Sequence, residues 1–141
     1  MIVRAPKPSD RPALASLLGE LGYPSSEAQV EERLRRLEQR DDVVTLVAEE
    51  DVIAAGFATV IVLPVFHADP PVAILMALVV GATHRGRGIG RTLVTEAEIW
   101  ARSRGADRMT VASGLARHGA HAFYEKVGYE HTARRYTKLL K

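Results

Sequence analysis

The residue types that could do chemistry in this chain gather in two short stretches. The first is Arg85-Gly86-Arg87-Gly88-Ile89-Gly90-Arg91, where three glycines and three arginines share seven positions. Glycines let main-chain N–H groups approach an anion closely, and the N-terminus of a following helix adds positive potential. The stretch therefore reads as a phosphate site. It is neither of two common ones. Gly81-Ala-Thr-His-Arg-Gly86 continues as Arg87-Gly88 instead of the Lys-Ser/Thr of a P-loop, and G-x-G-x-x-G fails from Gly86 (Arg91 in sixth place) and from Gly88 (Leu93). The second stretch is Ala120-His-Ala-Phe-Tyr124-Glu-Lys-Val-Gly128-Tyr129. Its Tyr124 has an ordinary pKa near ~10, so it stays protonated at neutral pH and can donate a proton to a departing group. His67 and Asp69 are candidate proton acceptors on a loop. Glu49 and Glu50 read as exposed turn residues, and His118 and His121 have metal-compatible spacing but no third ligand, so no metal is expected.

These residues must be positioned by a strand, a turn and a helix. Ile74 to Val80 is almost wholly apolar without alternation, the pattern of a strand covered on both faces. From Ile89, apolar residues at Leu93, Val94, Ala97, Trp100 and Ala101 mark one face of a helix ending at Gly105. Before this unit, the patterns predict a first strand at Ile2 to Arg4 and a helix capped by Ser9 or Asp10, with Pro12 in its first turn. A second helix is capped by Ser25 or Ser26 and turns Val30, Leu34 and Leu37 inward. Val43 to Ala48 and Val52 to Leu63 then form a hairpin around Glu49-Glu50-Asp51, followed by a loop from Pro64 to Pro71. After the central unit come a strand at Arg108 to Ser113, a short helix at Arg117 to Lys126, and a last strand at about His131 to Leu139. The order β-α-α-β-β-β-α-β-α-β predicts an α/β (α+β) fold, a mixed sheet with helices on both faces.

Arg-x-x-Gly-x-Gly at Arg85, Gly88 and Gly90, preceded by Leu78-x-Val80, resembles the pyrophosphate loop of the GNAT N-acetyltransferases, which bind acetyl-coenzyme A. Ala120 to Tyr129 is similar to that family's A-x-x-F-Y-x-K-x-G-F/Y segment, whose tyrosine lies beside the coenzyme sulfur. Both stretches stand in the family's order and spacing, and the likeness covers nearly the full length. It implies one GNAT-like acyl-CoA N-acyltransferase domain over residues 1–141. It further implies an enzyme moving acetyl from acetyl-CoA to a primary amine of a small molecule by direct attack. Coenzyme contacts carried over by the resemblance are Arg85, Gly86, Arg87, Gly88, Ile89, Gly90, Arg91 and Thr92, with the main-chain N–H groups of Arg87 to Thr92 cradling the pyrophosphate. The backbone of Leu78, Val79 and Val80 would take the pantetheine arm, and the N–H near Leu78 would polarise the thioester carbonyl. Tyr124 would be both coenzyme contact and general acid.

Two departures stand out. Arg117 occupies a place where relatives often carry Asn. Arginine accepts no hydrogen bond, so that coenzyme contact is either lost or replaced by a charge-assisted one to phosphate. Ala73 to Val80 has no acidic residue, where many relatives place a carboxylate base, which leaves His67, Asp69 or a water relay to take the proton. The rival reading is a non-catalytic acyl-CoA-binding or regulatory module, which the missing carboxylate favours and Tyr124 disfavours.

Composition narrows the rest. The chain has 141 residues, 47% hydrophobic and 26% charged, enough for one well-buried domain. With no cysteine there are no disulfides or thiolate metal sites, compatible with a reducing cytoplasm, the expected location. No apolar run reaches bilayer length, and the start lacks a signal-peptide pattern, so no membrane is expected. A net charge of +2, with Arg33, Arg35, Arg36 and Arg40 interleaved by glutamates, does not point to nucleic acid. Dimerisation is carried over by resemblance alone. Metabolite, antibiotic, polyamine and protein N-terminus all remain open as acceptors.

Overall fold

The computed structural model describes residues 1–112, 118–132 and 135–140. Five strands form one sheet in sequence order: β1 (Ile2–Arg4), β2 (Val43–Glu50), β3 (Ile53–Leu63), β4 (Val72–Val80) and β5 (Met109–Val111). The first four are joined antiparallel, and β5 lies parallel to β4. Two helices, α1 (Arg11–Leu21) and α2 (Glu27–Glu38), sit on one face. There Leu14, Leu17 and Val30 pack against Val47, Phe57 and Val79 of the sheet. On the other face α3 (Ile89–Ser103) buries Ile89, Leu93, Val94, Ala97 and Ala101 against Ala58, Val60, Leu75 and Leu78, joined by Tyr124 of α4 (His118–Lys126). β4 contributes to both cores, which is why its sequence is a continuous apolar run.

The mixed sheet with helices on both faces is the expected one, with local corrections. Ser26 caps α2 in a capping box with Gln29. Asp10 precedes α1 but makes no capping bond: its carboxylate takes the Lys7 N–H and the Arg4 guanidinium instead, because a charged partner outcompetes a helix amide. β2 runs on to Glu50, and the hairpin turn is Asp51-Val52, both at positive φ (55° and 67°). Glu49 is thus a strand residue bound to Arg4 Nε at 2.9 Å, not an exposed turn residue. A β-branched residue resists that backbone; Val52 adopts it because Glu50 pairs Ile53 at the end of a long ladder. The sixth strand, expected at His131 to Leu139, does not form among the described residues, and Tyr136 and Leu139 are exposed. A strand pattern needs an edge to pair with, and among the described residues β5 offers three.

Candidate active site

The site is built where β4 ends and α3 begins. Gly86 and Gly88 hold φ of 81° and 82°, a left-handed backbone that L side chains rarely adopt, and this bends the chain into the helix. Gly88 is the N-cap of α3 and no side chain caps it. The first turn's N–H groups thus face outward, the arrangement that takes up an anion. The Thr92 N–H, expected among the outward-facing groups, instead closes the first helical bond to the Gly88 carbonyl at 3.1 Å. The Thr92 hydroxyl donates to the same oxygen at 3.0 Å.

The three arginines separate into different environments. Arg85 turns back, its Nε donating to the Val80 carbonyl at 3.0 Å and its Nη2 meeting Glu20 of α1 at 3.4 Å. Arg87 Nη1 lies 3.2 Å from the Asp51 carboxylate of the β2–β3 turn. That same carboxylate oxygen is 3.4 Å from Nε2 of the buried His84, whose Nδ1 is 3.0 Å from the Thr83 hydroxyl. Arg91 is exposed on the first turn of α3. None of these partners was legible as such: Glu20 and Asp51 lie 65 and 36 positions from the arginines they meet.

Beside the turn, the described residues of β5 pair with only the first part of β4. β4 and β5 pair at Ala73 with Met109, Ile74 with Thr110 and Leu75 with Val111, and the last bond runs from the Ala112 N–H to the Leu75 carbonyl. From Met76 onward no ladder continues on that side among the described residues. A bulge sits at the same point, since Thr59 pairs Ala77 while Val60 pairs Leu75, leaving Met76 as the extra residue. The Gly81 N–H donates to the Ala55 carbonyl. Antiparallel alternation then turns the backbone groups of Val79 and Ala77 toward β3, and those of Leu78 and Val80 away from it. The Val80 carbonyl is already taken by Arg85. Leu78 is therefore the residue of this stretch whose N–H and C=O both point away from β3 without being taken by Arg85, whereas Val79 points its backbone into the ladder.

The second motif reaches the first through one contact. A Cβ added at Gly90 would sit 3.3 Å from Cζ of Phe123, so the absence of a side chain lets α4 lie on the first turn of α3. That docking carries in the neighbouring Tyr124, which is buried. Its ring is edge-on to Phe123 at 5.5 Å and to Tyr129 at 6.2 Å. The Tyr129 hydroxyl donates to Glu98 of α3 at 2.7 Å, and burial together with that carboxylate pushes its pKa up.

Other expected residues are not brought here. His67 and Asp69 lie in the loop that enters β4, so Leu78 is separated from them by about 20 Å of strand at ~3.3 Å per residue. Asp69 instead lines an open cavity of about 340 Å3 with Asp41, Asp42 and Arg104, at the far end of α3. Arg117 lies outside the described residues. Among the described residues no helix is long and apolar enough to cross a membrane.

The glycine turn, the parallel β4–β5 pair and the docked tyrosine lie together, and comparison with known proteins shows which chains this one resembles as a whole. An aminoalkylphosphonate N-acetyltransferase of Salmonella typhimurium is 38% identical over 66 residues, 47% of this chain and 43% of that protein, so the match spans less than half of that relative. A chain from Agrobacterium tumefaciens str. C58 described as an acetyltransferase superposes with a TM-score of 0.86 over 99% of both chains, at 25% identity. Glucosamine-6-phosphate N-acetyltransferase from Arabidopsis thaliana shares the fold with a TM-score of 0.86 at 22% identity, over 99% of this chain and 98% of that one. The acetyltransferase (GNAT) family pattern matches residues 12–129, and the chain belongs to that family.

Proposed function

We propose that the protein transfers the acetyl group of acetyl-CoA to a primary amine of a small molecule, by direct attack, with Tyr124 as general acid. The observation that carries this reading is the uncapped first turn of α3 behind Gly86 and Gly88, with the buried Tyr124 brought beside it by Phe123 packing on Gly90. The first-turn N–H groups of α3 would hold the pyrophosphate, and the Leu78 backbone would hold the pantetheine arm. The Leu78 N–H would stabilise the oxyanion as the amine nitrogen bonds to the thioester carbon. The carbon–sulfur bond then breaks, the thiolate takes the Tyr124 proton, and the ammonium proton leaves through water and returns to the tyrosine. His67 and Asp69 stand too far along β4 to act as the base, which favours the water relay among the three candidates. Small amines bearing a phosphonate are the first acceptors to try, a choice that follows the name of the Salmonella relative.

A thermal-melt titration with acetyl-CoA tests the coenzyme site, run beside Gly88→Glu with both proteins checked for folding. At a hundred times the dissociation constant the ligand should stabilise the parent by about 2.7 kcal/mol and leave the variant unshifted. Thiol release with a panel headed by aminoalkylphosphonates, lowered ~100-fold or more in Tyr124→Phe, would support the catalytic assignment. No melting shift at saturation sinks the acetyl-CoA reading. A shift without thiol release on any amine leaves a binding module.

A further inference from the structure

Resting on that coenzyme reading, we infer that Glu20 of α1 is a positioning residue for the anion cradle and that Arg85 is its partner in that task, not a phosphate ligand. The Glu20 carboxylate accepts the Ala82 main-chain N–H at 2.9 Å and meets Arg85 Nη2 at 3.4 Å. Arg85 in turn caps the Val80 carbonyl through Nε at 3.0 Å. Glu20, from the opposite layer of the fold, and Arg85 together thus tie the start of the turn to the end of β4, on the two sides of Gly81. The approach is close: a Cβ on Gly81 would lie 3.3 Å from Leu17 Cδ2 and 3.8 Å from Glu20 Oε2, two residues one helical turn apart on α1.

Local physics argues that Glu20 is there for the turn. It stands in the last turn of α1, which carries no basic residue, and there the negative end of the helix dipole disfavours a carboxylate. A residue that opposes its own helix is compensated by a tertiary partner, and its partners are the Ala82 amide and Arg85. Two of the five N–H donors of Arg85, on Nε and Nη2, are spent on the Val80 carbonyl and Glu20, which turns the guanidinium back onto the protein. Of the three arginines at the turn, Arg85 therefore shapes the cradle, while Arg87 and Arg91 remain to meet the ligand.

Titration calorimetry with coenzyme A, on the intact protein and on Glu20→Gln, Glu20→Ala, Arg85→Ala and the Glu20→Gln/Arg85→Ala pair, decides the matter. Glu20→Ala should weaken binding about tenfold, on the scale of a lost charged hydrogen bond. Glu20→Gln should weaken it less, because its amide oxygen still accepts the Ala82 N–H. The double variant should bind no worse than its weaker parent, and Arg85→Ala should keep the parent's salt dependence. With acetyl-CoA as substrate, the loss should appear in KM rather than in kcat. Hydrogen exchange at the Ala82 amide should quicken in Glu20→Ala without ligand. If Arg85 were a phosphate ligand restrained by Glu20, Glu20→Gln would tighten binding and Arg85→Ala would flatten the salt dependence; either result overturns the inference. A parent that does not bind coenzyme A sinks the coenzyme reading and this inference together, a pattern distinct from a parent that binds and variants that bind equally well.

Discussion

Two arginine–carboxylate clusters in this protein share their chemistry and differ in burial. At the amino-terminal edge, Arg4 grips Asp10 through both Nη atoms at 2.8 and 2.9 Å and Glu49 through Nε at 2.9 Å. The Arg4 and Asp10 side chains are only 16% and 5% exposed. At the glycine turn, Arg85 with Glu20 and Arg87 with Asp51 are 33% to 65% exposed. In the first cluster the ions have lost their water and depend on one another. In the second, water screens each pair; Asp51 would yield Arg87 to an incoming phosphate at small cost, whereas Arg85 is also held by the Val80 carbonyl. Burial, rather than residue type, separates a structural knot from a ligand-ready turn.

The comparison can be broken most forcefully at Asp10. Asp10→Ala leaves Arg4 without its bidentate partner in a buried place and should destabilise the fold by about 3–5 kcal/mol. A melting temperature lowered by about 10 °C or more, with coenzyme affinity kept in the folded fraction, is the expected result. A loss of less than ~2 °C would mean the knot is no more structural than the turn.

A smaller effect should appear with pH. The Arg4 hydrogen bonds hold the Asp10 carboxyl below its ordinary range, against the opposing effect of burial and with help from the Lys7 N–H. Such a group contributes stability that is complete above its unfolded pKa of about 3.9 and is lost as pH falls through the lower folded value. Melting temperature should therefore drop steeply below about pH 4, and Asp10→Asn should flatten that limb. An unchanged acid limb in Asp10→Asn would assign acid sensitivity to other carboxylates.

The smallest effect sharpens the contrast within the turn itself. Asp51→Asn should change stability by no more than about 1 kcal/mol, as for any exposed pair. It should also tighten coenzyme A binding a few-fold at low salt, because the carboxylate competes with phosphate for Arg87, and the gain should fade as salt rises. That sign is opposite to the one expected for Glu20. Weaker binding in Asp51→Asn would instead make Asp51 a second support of the turn, acting through His84.

Local rules were readable in the chain where the cause is local. The glycines at positions 86 and 88 announce a backbone that other residues avoid, and both adopt it. The apolar face of α3 and the unbroken apolar run of β4 state what each element buries, and the burial follows. Reading failed where a distant partner decided the matter. Asp10 suited a helix cap until Arg4 claimed it, and Glu49 resembled a turn residue until β2 ran on beside β1. The stretch after His131 had a strand's pattern and found no strand partner among the described residues.

The sequence by itself determined the turn, the helix that follows it and the tyrosine-bearing segment, because glycine torsions and hydrophobic periodicity act between residues a few places apart. Only the tertiary structure decided what faces that turn. Phe123 lies on Gly90 and brings Tyr124 in, the β3 register turns the Leu78 backbone away from β3, and Glu20 and Asp51 choose between Arg85 and Arg87. Those contacts join residues tens of positions apart, and they exist because two helical layers close on the same strand from opposite sides.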